Sequence, residues 1–275
     1  MLLRNDMRLP SAMAEPPPLA GSDLAFVEAL DNAIVTAALA DRARAVQFGP
    51  LIAMETLDRA GYSQAFPHLV TVPAAMTTPC MCGHGAAGAG HALLPAACLP
   101  VYAMIANADF SEPALVTTRN TCWRLEDHFE PLRRQWAFTM REVVCVGASE
   151  EVRIFRARWR SRAARLAKGL GIDAAFTPAS DPFFGAAAAQ RLYQAVSEAK
   201  SELVAGQLAI ASLNNHGTHF AAAFNLRRNG TNARSACVAF GLERWLAAMR
   251  DRHGPDSKTW PPAPDLTDDS ETVDG

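Results

Sequence analysis

The chain has 275 residues, 49% of them hydrophobic and 20% charged, with a formal net charge of −2. So small a net charge excludes an overall field that would draw the whole protein to nucleic acid or anionic lipid. No apolar run approaches the roughly 20 residues of a membrane-spanning helix, and the N-terminus lacks the apolar stretch of a signal peptide. The six cysteines are too few to hold a chain of this length together, so we expect a cytoplasmic protein with reduced thiols.

Two tails are predicted to flank one structured domain. Residues 1–21 are Pro-rich, and residues 254–275 are rich in proline and acidic side chains, a composition typical of disorder. The domain therefore spans residues 22–253, and it opens with a helix for which Ser22 is the expected N-cap. Helices and strands then follow in mixed order, which favours an α+β fold with an antiparallel sheet flanked by helices.

The next segments predict a short strand, a turn at Pro50 and a short helix, followed by a Gly/Ala-rich loop. This loop contains Cys80, Cys82 and His84, which lie close enough in sequence to form a metal cluster. Because no second pair follows at zinc-finger spacing, we interpret the segment as a loop that could lie near an active site.

Two apolar runs, EPALVTTRNTCWRLED and QWAFTMREVVCVG, predict an antiparallel hairpin with a short polar loop between its strands. Arg124 and Glu126 lie two residues apart at the end of the first strand, so we expect both side chains on one face. Phe138 and Glu142 are expected to share a face of the return strand. Taken alone, such a pattern is more typical of a surface hairpin with solvated charges.

Residues 150–170 predict a helix with one apolar stripe and one basic arc. The stripe contains Phe155, Trp159, Ala163, Leu166 and Leu170. The arc contains Arg153, Arg156, Arg158, Arg160, Arg162, Arg165 and Lys168. Such an arc is equally consistent with a solvated outer face and with a surface for an acidic protein, and it would also suit RNA.

The last part of the domain predicts strands in LAIASLNNHGTHFAAAFNL and SACVAF, and then a helix that starts within FGLERW. Arg244 would lie in the first turn of this helix, where the helix dipole disfavours a cation. Together with Arg124 and the loop residues Arg133 and Arg134, it could clamp a polyanion, because guanidinium groups bind phosphate oxygens in pairs. Phe138 would then stack against a base.

These segments resemble the signature motifs of the class II aminoacyl-tRNA synthetases. FGPLIAMETLDRAGYSQAFPHL is similar to the motif 1 region of seryl-type cores, the R-x-E strand, loop and F-x-x-x-E to motif 2, and FGLERW to motif 3. SLNNHGTHFAAAFNLRRNGT is similar to the strand before motif 3. LLPAACLPVY, FTMREVVCVG, SDPFFG and CVAFGLERW further resemble the amino acid:[carrier protein] ligases, homologues of atypical archaeal-type seryl-tRNA synthetases that lack the tRNA-binding part.

The resemblance implies an activity and a set of partners. A small amino acid, glycine or alanine, would be activated by ATP as an aminoacyl-adenylate and passed to the phosphopantetheine thiol of an acyl carrier protein. It also implies Mg²⁺ bound with ATP, a homodimer, and no binding of tRNA or membranes. Two alternatives stay open: a minimal aminoacyl-tRNA synthetase, and a non-catalytic paralogue that binds ATP or an amino acid for regulation.

The resemblance also assigns roles to individual residues. Arg124 and Arg244 would be the catalytic residues, as they hold the reacting phosphates and carboxylate. The ATP-binding residues would be Arg124, Glu126, Arg134, Gln135, Phe138, Ala209, Ile210, Ala211, Ser212, Leu213, Asn214 and Arg244.

One Zn²⁺ ion per subunit is implied, held by Cys98, Glu142 and Cys237, with Glu142 also beside the substrate amino acid. Two thiolates and one carboxylate suit zinc, and three protein ligands leave a fourth position open for the substrate amino group. From the residues alone, ordinary buried cysteines would be the preferred interpretation. His219 stands where seryl-type cores carry an acid before a phenylalanine, here Phe220, so the seryl-type pattern does not determine the amino acid substrate.

Overall fold

The computed structural model describes residues 18–73, 90–178 and 200–268. The loop with Cys80, Cys82 and His84 and the segment SDPFFG lie outside these residues. The described helices are α1 (Gly21–Ala40), α2 (Met54–Arg59), α3 (Tyr62–Ala65), α4 (Leu99–Met104), α5 (Ser149–Gly169), α6 (His219–Phe224) and α7 (Leu242–His253). The described strands are β1 (Arg44–Val46), β2 (Leu51–Ala53), β3 (His91–Leu93), β4 (Asp109–Phe110), β5 (Ala114–Trp123), β6 (Ala137–Gly147), β7 (Ala174–Pro178), β8 (Lys200–Ala205), β9 (Leu208–Gly217), β10 (Arg227–Arg228), β11 (Thr231–Asn232) and β12 (Arg234–Gly241).

Within the described residues, seven strands form one sheet in the order β1, β5, β6, β12, β9, β8, β7. β1 runs parallel to β5, and the other neighbouring strands are antiparallel. β5 and β6 pair from Ala114 opposite Val146 to Trp123 opposite Ala137, which confirms the predicted hairpin. The predicted antiparallel sheet flanked by helices is therefore present.

Helices cover both faces of the sheet, because successive side chains of a strand point to opposite sides. On β6, Val143 and Cys145 pack in a hydrophobic cluster with α1, α5 and α7. Val144 and Val146 pack in a second cluster with α2, α4 and α6. Among the described helices, none combines the length and the apolarity needed to cross a bilayer.

Helix α5 confirms the predicted apolar stripe, whose five residues are all buried. Part of its basic arc contacts other segments of the domain, although four of its seven residues are exposed. Arg162 is 1% exposed, and its Nη2 donates to Asp41 Oδ1 at 3.1 Å. The guanidinium carbon of Arg160 lies 4.3 Å from the centre of the Phe176 ring, and Arg165 donates to a backbone carbonyl near the C-terminus. These cations hold neighbouring segments against α5.

The start of α1 differs from the prediction. The helix begins at Gly21, and Ala20 occupies the N-cap position without a side-chain hydrogen bond, so Ser22 is not the cap. Ser22 instead lies in the first turn beside Asp23, whose carboxylate suits the positive end of the helix dipole.

The described part of the C-terminal segment packs against the domain, in contrast to the disordered tail expected from residue 254 onward. The ring centroid of Trp260 lies 5.2 Å from that of Phe26 on α1, and Leu266 is 1% exposed. Composition describes a segment on average, whereas burial of two large apolar side chains is enough to order it locally. At the other end, Leu19 also packs against the cluster that contains α1.

The predicted strand LAIASLNNHGTHFAAAFNL is a strand only in its first half. β9 ends at Gly217, which has a φ of +54° and turns the chain. The following residues form α6, because the Ala-rich sequence favours a helix once the strand has ended.

Candidate active site

A cavity lies over the face of the sheet to which β6 presents Phe138 and Glu142. The β5–β6 loop, parts of β8, β9 and β12 and the first turn of α7 contribute to its wall. All residues that the resemblance assigned to ATP or to zinc line this cavity, with the exception of Leu213. Leu213 is 2% exposed and its side chain packs in the cluster on the other face of the sheet. Its neighbours Ser212 and Asn214 line the cavity, because side chains alternate along β9.

The β5–β6 loop places Arg124 and Glu126 beyond the strand on which they were expected. β5 ends at Trp123, so strand alternation does not set their direction. Instead the Arg124 N–H donates to Trp136 O at 2.9 Å, and Trp136 Nε1 donates to Glu126 O at 3.0 Å. The Glu126 carboxylate accepts from Arg134 Nη1 at 2.8 Å. These bonds across the loop hold its charged side chains beside the cavity.

Backbone carbonyl groups orient the two proposed catalytic arginines. Arg124 Nε donates to Pro95 O at 2.9 Å. Arg244 Nε donates to Arg133 O at 2.8 Å, and its Nη1 donates to Ala209 O at 3.0 Å. These acceptors compensate the unfavourable dipole at the start of α7 and account for a cation in its first turn.

Positive charge is concentrated in the cavity. Burial, and then repulsion from Arg124 and Arg134, lowers the pKa of Arg244. Such an arrangement attracts a polyanion, because charge interactions are stronger in a partly buried cavity than in water. An aromatic face adjoins the cations, since the Arg124 guanidinium carbon lies 5.1 Å from the centre of the Phe138 ring.

Three potential metal ligands lie close together in the cavity lining. Cys98 precedes α4, Glu142 lies on β6 and Cys237 lies on β12, and their ligand atoms all lie within 4.8 Å of one another. β12 pairs Ala239 with Glu142, so Cys237 is the diagonal neighbour of Glu142 on the same face. The Cys98 N–H donates to Glu142 Oε1 at 3.2 Å, which joins the third segment to the pair.

The electrostatics of this cluster fit a divalent cation. Burial raises the pKa of Glu142, whereas a hydrogen bond with Cys237 and then burial raise the pKa of Cys98. The protein alone therefore disfavours the anionic forms of these side chains. A bound cation reverses that preference, and two thiolates with one carboxylate are donors that zinc accepts.

Several residues at the cavity were not found from the sequence: Lys200, Glu202, His216 and Glu243. Lys200 Nζ and Glu202 Oε1 pair at 2.9 Å, and the Glu243 carboxylate accepts from the Thr139 N–H at 2.9 Å. His216 could have been identified, because it shares strand spacing with Ser212 and Asn214.

His219, which the sequence comparison with seryl-type cores singled out as a substrate-related position, does not line the cavity. Its Nε2 lies 3.0 Å from Ala60 O. The histidine that meets the proposed metal ligands is His216, whose Nε2 lies 3.8 Å from Cys237 Sγ. Gln135 does line the cavity, but its side chain bonds to the backbone of Leu132 and Ala137 and thereby holds the loop.

Comparisons with known proteins show what the chain is similar to. No family model matches the chain. Amino acid–[acyl-carrier-protein] ligase 1 of Bradyrhizobium diazoefficiens is 32% identical over 264 residues, which cover 83% of this chain and 77% of that protein. Ligase 2 of the same organism is 32% identical over 252 residues, covering 78% of this chain and 72% of that protein.

Among solved structures, the M. kandleri SerRS in complex with A. aeolicus tRNASec superposes with a TM-score of 0.72 at 19% identity. The match covers 88% of this chain and 54% of that one, so this chain corresponds to about half of the synthetase. The likeness confirms the predicted fold of a class II synthetase core.

Proposed function

The chain belongs to the amino acid–[acyl-carrier-protein] ligases, and from this premise we propose that it activates glycine or alanine with ATP before transfer to a carrier protein. One observation carries the proposal: four arginines, an aromatic face and a Cys–Glu–Cys cluster line a single cavity. The arginines suit a triphosphate, and the cluster suits a metal that binds an amino group.

In the first step, a carboxylate oxygen of the amino acid attacks the α-phosphorus of ATP, and pyrophosphate leaves with the electrons of the broken P–O bond. Arg124 would hold the α-phosphate and the carboxylate, while Arg134 and Arg244 would bind the outer phosphates together with Mg²⁺. Fixed guanidinium groups favour this step because they position the reactants and stabilise the developing charge without reorganising. Phe138 would pack under the adenine, and Glu126 would accept from its amino group.

Cys98, Glu142 and Cys237 would hold the zinc ion. When bound, zinc supplies an acceptor for the neutral amino group of the substrate, which discriminates against molecules without an amine. The chain's own contribution is to bring the three donors together from distant segments and to exclude water from them, since Cys237 is 2% and Glu142 1% exposed.

In the second step, the phosphopantetheine thiol of the carrier attacks the carbonyl carbon of the adenylate. A thioester forms, the thiol proton is released and AMP leaves. Glycine and alanine share the α-amino group and carboxylate on which this arrangement acts, and they differ by one methyl group.

Amino-acid-dependent exchange between ATP and pyrophosphate tests the first step. We expect exchange with glycine or alanine, and its loss in Arg124→Ala, because the α-phosphate and the carboxylate lose their shared cation. Arg227→Ala is the matched control, since Arg227 is an exposed arginine on β10 away from the cavity lining, and it should exchange normally. Near-normal exchange in Arg124→Ala would contradict the assigned role.

Charging assays test the acceptor. The proposal requires a thioester on a phosphopantetheinylated carrier protein and no ester on tRNA. Transfer to tRNA would indicate a minimal synthetase instead, and the absence of exchange with every amino acid would indicate a binding protein without chemistry.

A further inference from the structure

We infer that Tyr102 and His216 form a hydrogen-bond relay that positions the Cys237 sulfur for metal binding. His216 Nδ1 lies 2.9 Å from the Tyr102 hydroxyl oxygen, and His216 Nε2 lies 3.8 Å from Cys237 Sγ. The inference rests on the proposed zinc site, but neither Tyr102 nor His216 belongs to the ligand set. Both are positioning residues, because they act through the sulfur.

His216 lies at a β-bulge of β9. β12 pairs Ala236 with Asn215 and Ser235 with Gly217, so the intervening His216 has no partner residue across the strand. The imidazole is 7% exposed and lines the cavity, on the face of β9 that also presents Ser212 and Asn214. The bulge leaves this face unchanged and interrupts only the pairing with β12.

The other end of the relay is fixed by α4 and α6. Tyr102 follows the ligand Cys98 by four residues, so one short helical segment carries both a proposed ligand and the relay hydroxyl. Tyr102 is fully buried and stacks on Phe220 of α6, with ring centroids 4.3 Å apart. The same Phe220 ring meets His216 edge-on at 4.7 Å. Aromatic packing therefore holds both rings in place.

The chemistry of a thiolate sets the direction of the relay. A metal-bound Cys237 sulfur has no proton to donate, so His216 Nε2 carries the hydrogen and donates to it. In the neutral imidazole, Nδ1 is then the acceptor, and the Tyr102 O–H is the donor that faces it. Asn214 Nδ2 donates to the same sulfur at 3.4 Å. Two N–H groups from one strand thus orient the sulfur, as partners of metal ligands commonly do.

Zinc affinity measured by chelator competition tests the relay. His216→Leu should weaken zinc binding about 10- to 100-fold, the usual effect of removing a partner of a metal ligand. Tyr102→Phe should weaken it by a smaller factor, and the double variant should bind no more weakly than His216→Leu, because Tyr102 acts only through the imidazole. His219→Leu is the matched control: His219 also contacts Phe220, at 4.9 Å, and its loss should leave zinc affinity unchanged.

The absorption spectrum of the cobalt-substituted protein is a second measurement. A purely structural role of His216 and Tyr102 would leave this spectrum unchanged. The thiolate-to-cobalt charge-transfer band should shift in His216→Leu and Tyr102→Phe. It should return toward the wild-type position in His216→Gln, because an amide nitrogen can replace Nε2 as donor to the sulfur.

The outcomes separate the relay from the proposed function. If the wild-type chain binds zinc and both relay variants match it in affinity and spectrum, the relay is overturned and the zinc site stands. If the wild-type chain holds no zinc, the metal site and the relay both fail, whereas pyrophosphate exchange still reports on adenylation. Should His216→Leu not fold, Tyr102→Phe decides, since it keeps the stacked ring and removes only the hydroxyl.

Discussion

Asn214 contacts a proposed zinc ligand, Cys237, as well as lining the proposed ATP pocket. It lines the cavity, as expected of an ATP contact, but its Nδ2 donates to Ser212 Oγ at 3.1 Å and to Cys237 Sγ at 3.4 Å. β12 pairs Cys237 with Asn214, and this register brings the amide to the sulfur. The proposed nucleotide pocket and the proposed zinc site therefore share a residue.

Replacement of one zinc ligand tests the metal site at the same scale. Cys98→Ala should empty the site, because a carboxylate and a single thiolate bind zinc far more weakly than three donors. Metal content of the purified protein is the measurement. Cys145→Ala is the control, since Cys145 is buried on the opposite face of the sheet and should leave zinc in place. Zinc retained by Cys98→Ala would refute the ligand set.

At the scale of elements, the start of α5 is held by one carboxylate. Glu151 Oε2 accepts from the Ala148 N–H at 2.7 Å, and Oε1 accepts from Arg228 Nη2 at 2.8 Å. Glu151 thus caps the helix and joins it to β10. The hydrogen bond from Arg228 keeps the pKa of Glu151 below its ordinary value.

This ion pair predicts a pH-dependent stability. A lowered pKa in the folded state means that the stabilisation is complete above the unfolded value, about 4.3 for glutamate, and is lost as pH falls through the folded value. Glu151→Gln should lower the free energy of unfolding by about 0.5–1 kcal/mol at neutral pH, the range for a partly exposed pair. Urea titrations at pH 7 and at acidic pH measure this.

The difference between wild type and Glu151→Gln should shrink as the wild-type carboxylate is protonated. Glu150→Gln is the control, because Glu150 and its partner Arg153 are both exposed and should contribute less. A difference for Glu151→Gln that persists unchanged in acid would show that the ion pair is not its cause.

At the scale of the whole molecule, the C-terminal segment completes the helical layer that covers one face of the sheet. Trp260 packs on Phe26, and its Nε1 donates to Gly254 O at 3.1 Å. Arg165 of α5 donates to Leu266 O at 3.3 Å. The C-terminal segment therefore contacts both α1 and α5.

The homodimer and the cytoplasmic location expected from the sequence stay predictions.

Removal of the Trp260 ring tests this packing. Trp260→Ala should lower the free energy of unfolding by about 3 kcal/mol, because a buried aromatic side chain is lost and a cavity remains. Chemical denaturation of the full chain is the measurement. Pro262→Ala, at an exposed position of the same segment, should change the free energy little. Equal stabilities for the two variants would show that the segment does not contribute to the fold.

Features that depend on local spacing could be predicted from the amino-acid sequence. It predicted the β5–β6 hairpin, the apolar stripe of α5 and a helix directly after Gly241, because each is encoded within a few turns or residues of chain. The motif order also predicted the family, since each motif keeps its residues at short, countable distances. Leu213 was assigned together with its whole segment, without regard to strand alternation, and its side chain lies on the opposite face of the sheet.

Contacts between residues that are distant in sequence could be identified only in the folded chain. Cys98 and Glu142 are 44 positions apart, and their contact depends on where α4 packs against the sheet. The bulge at His216 and the docking of Trp260 likewise depend on strand register and on the shape of the opposing surface. Contacts of this kind are set by packing between segments, and no spacing within one segment encodes them.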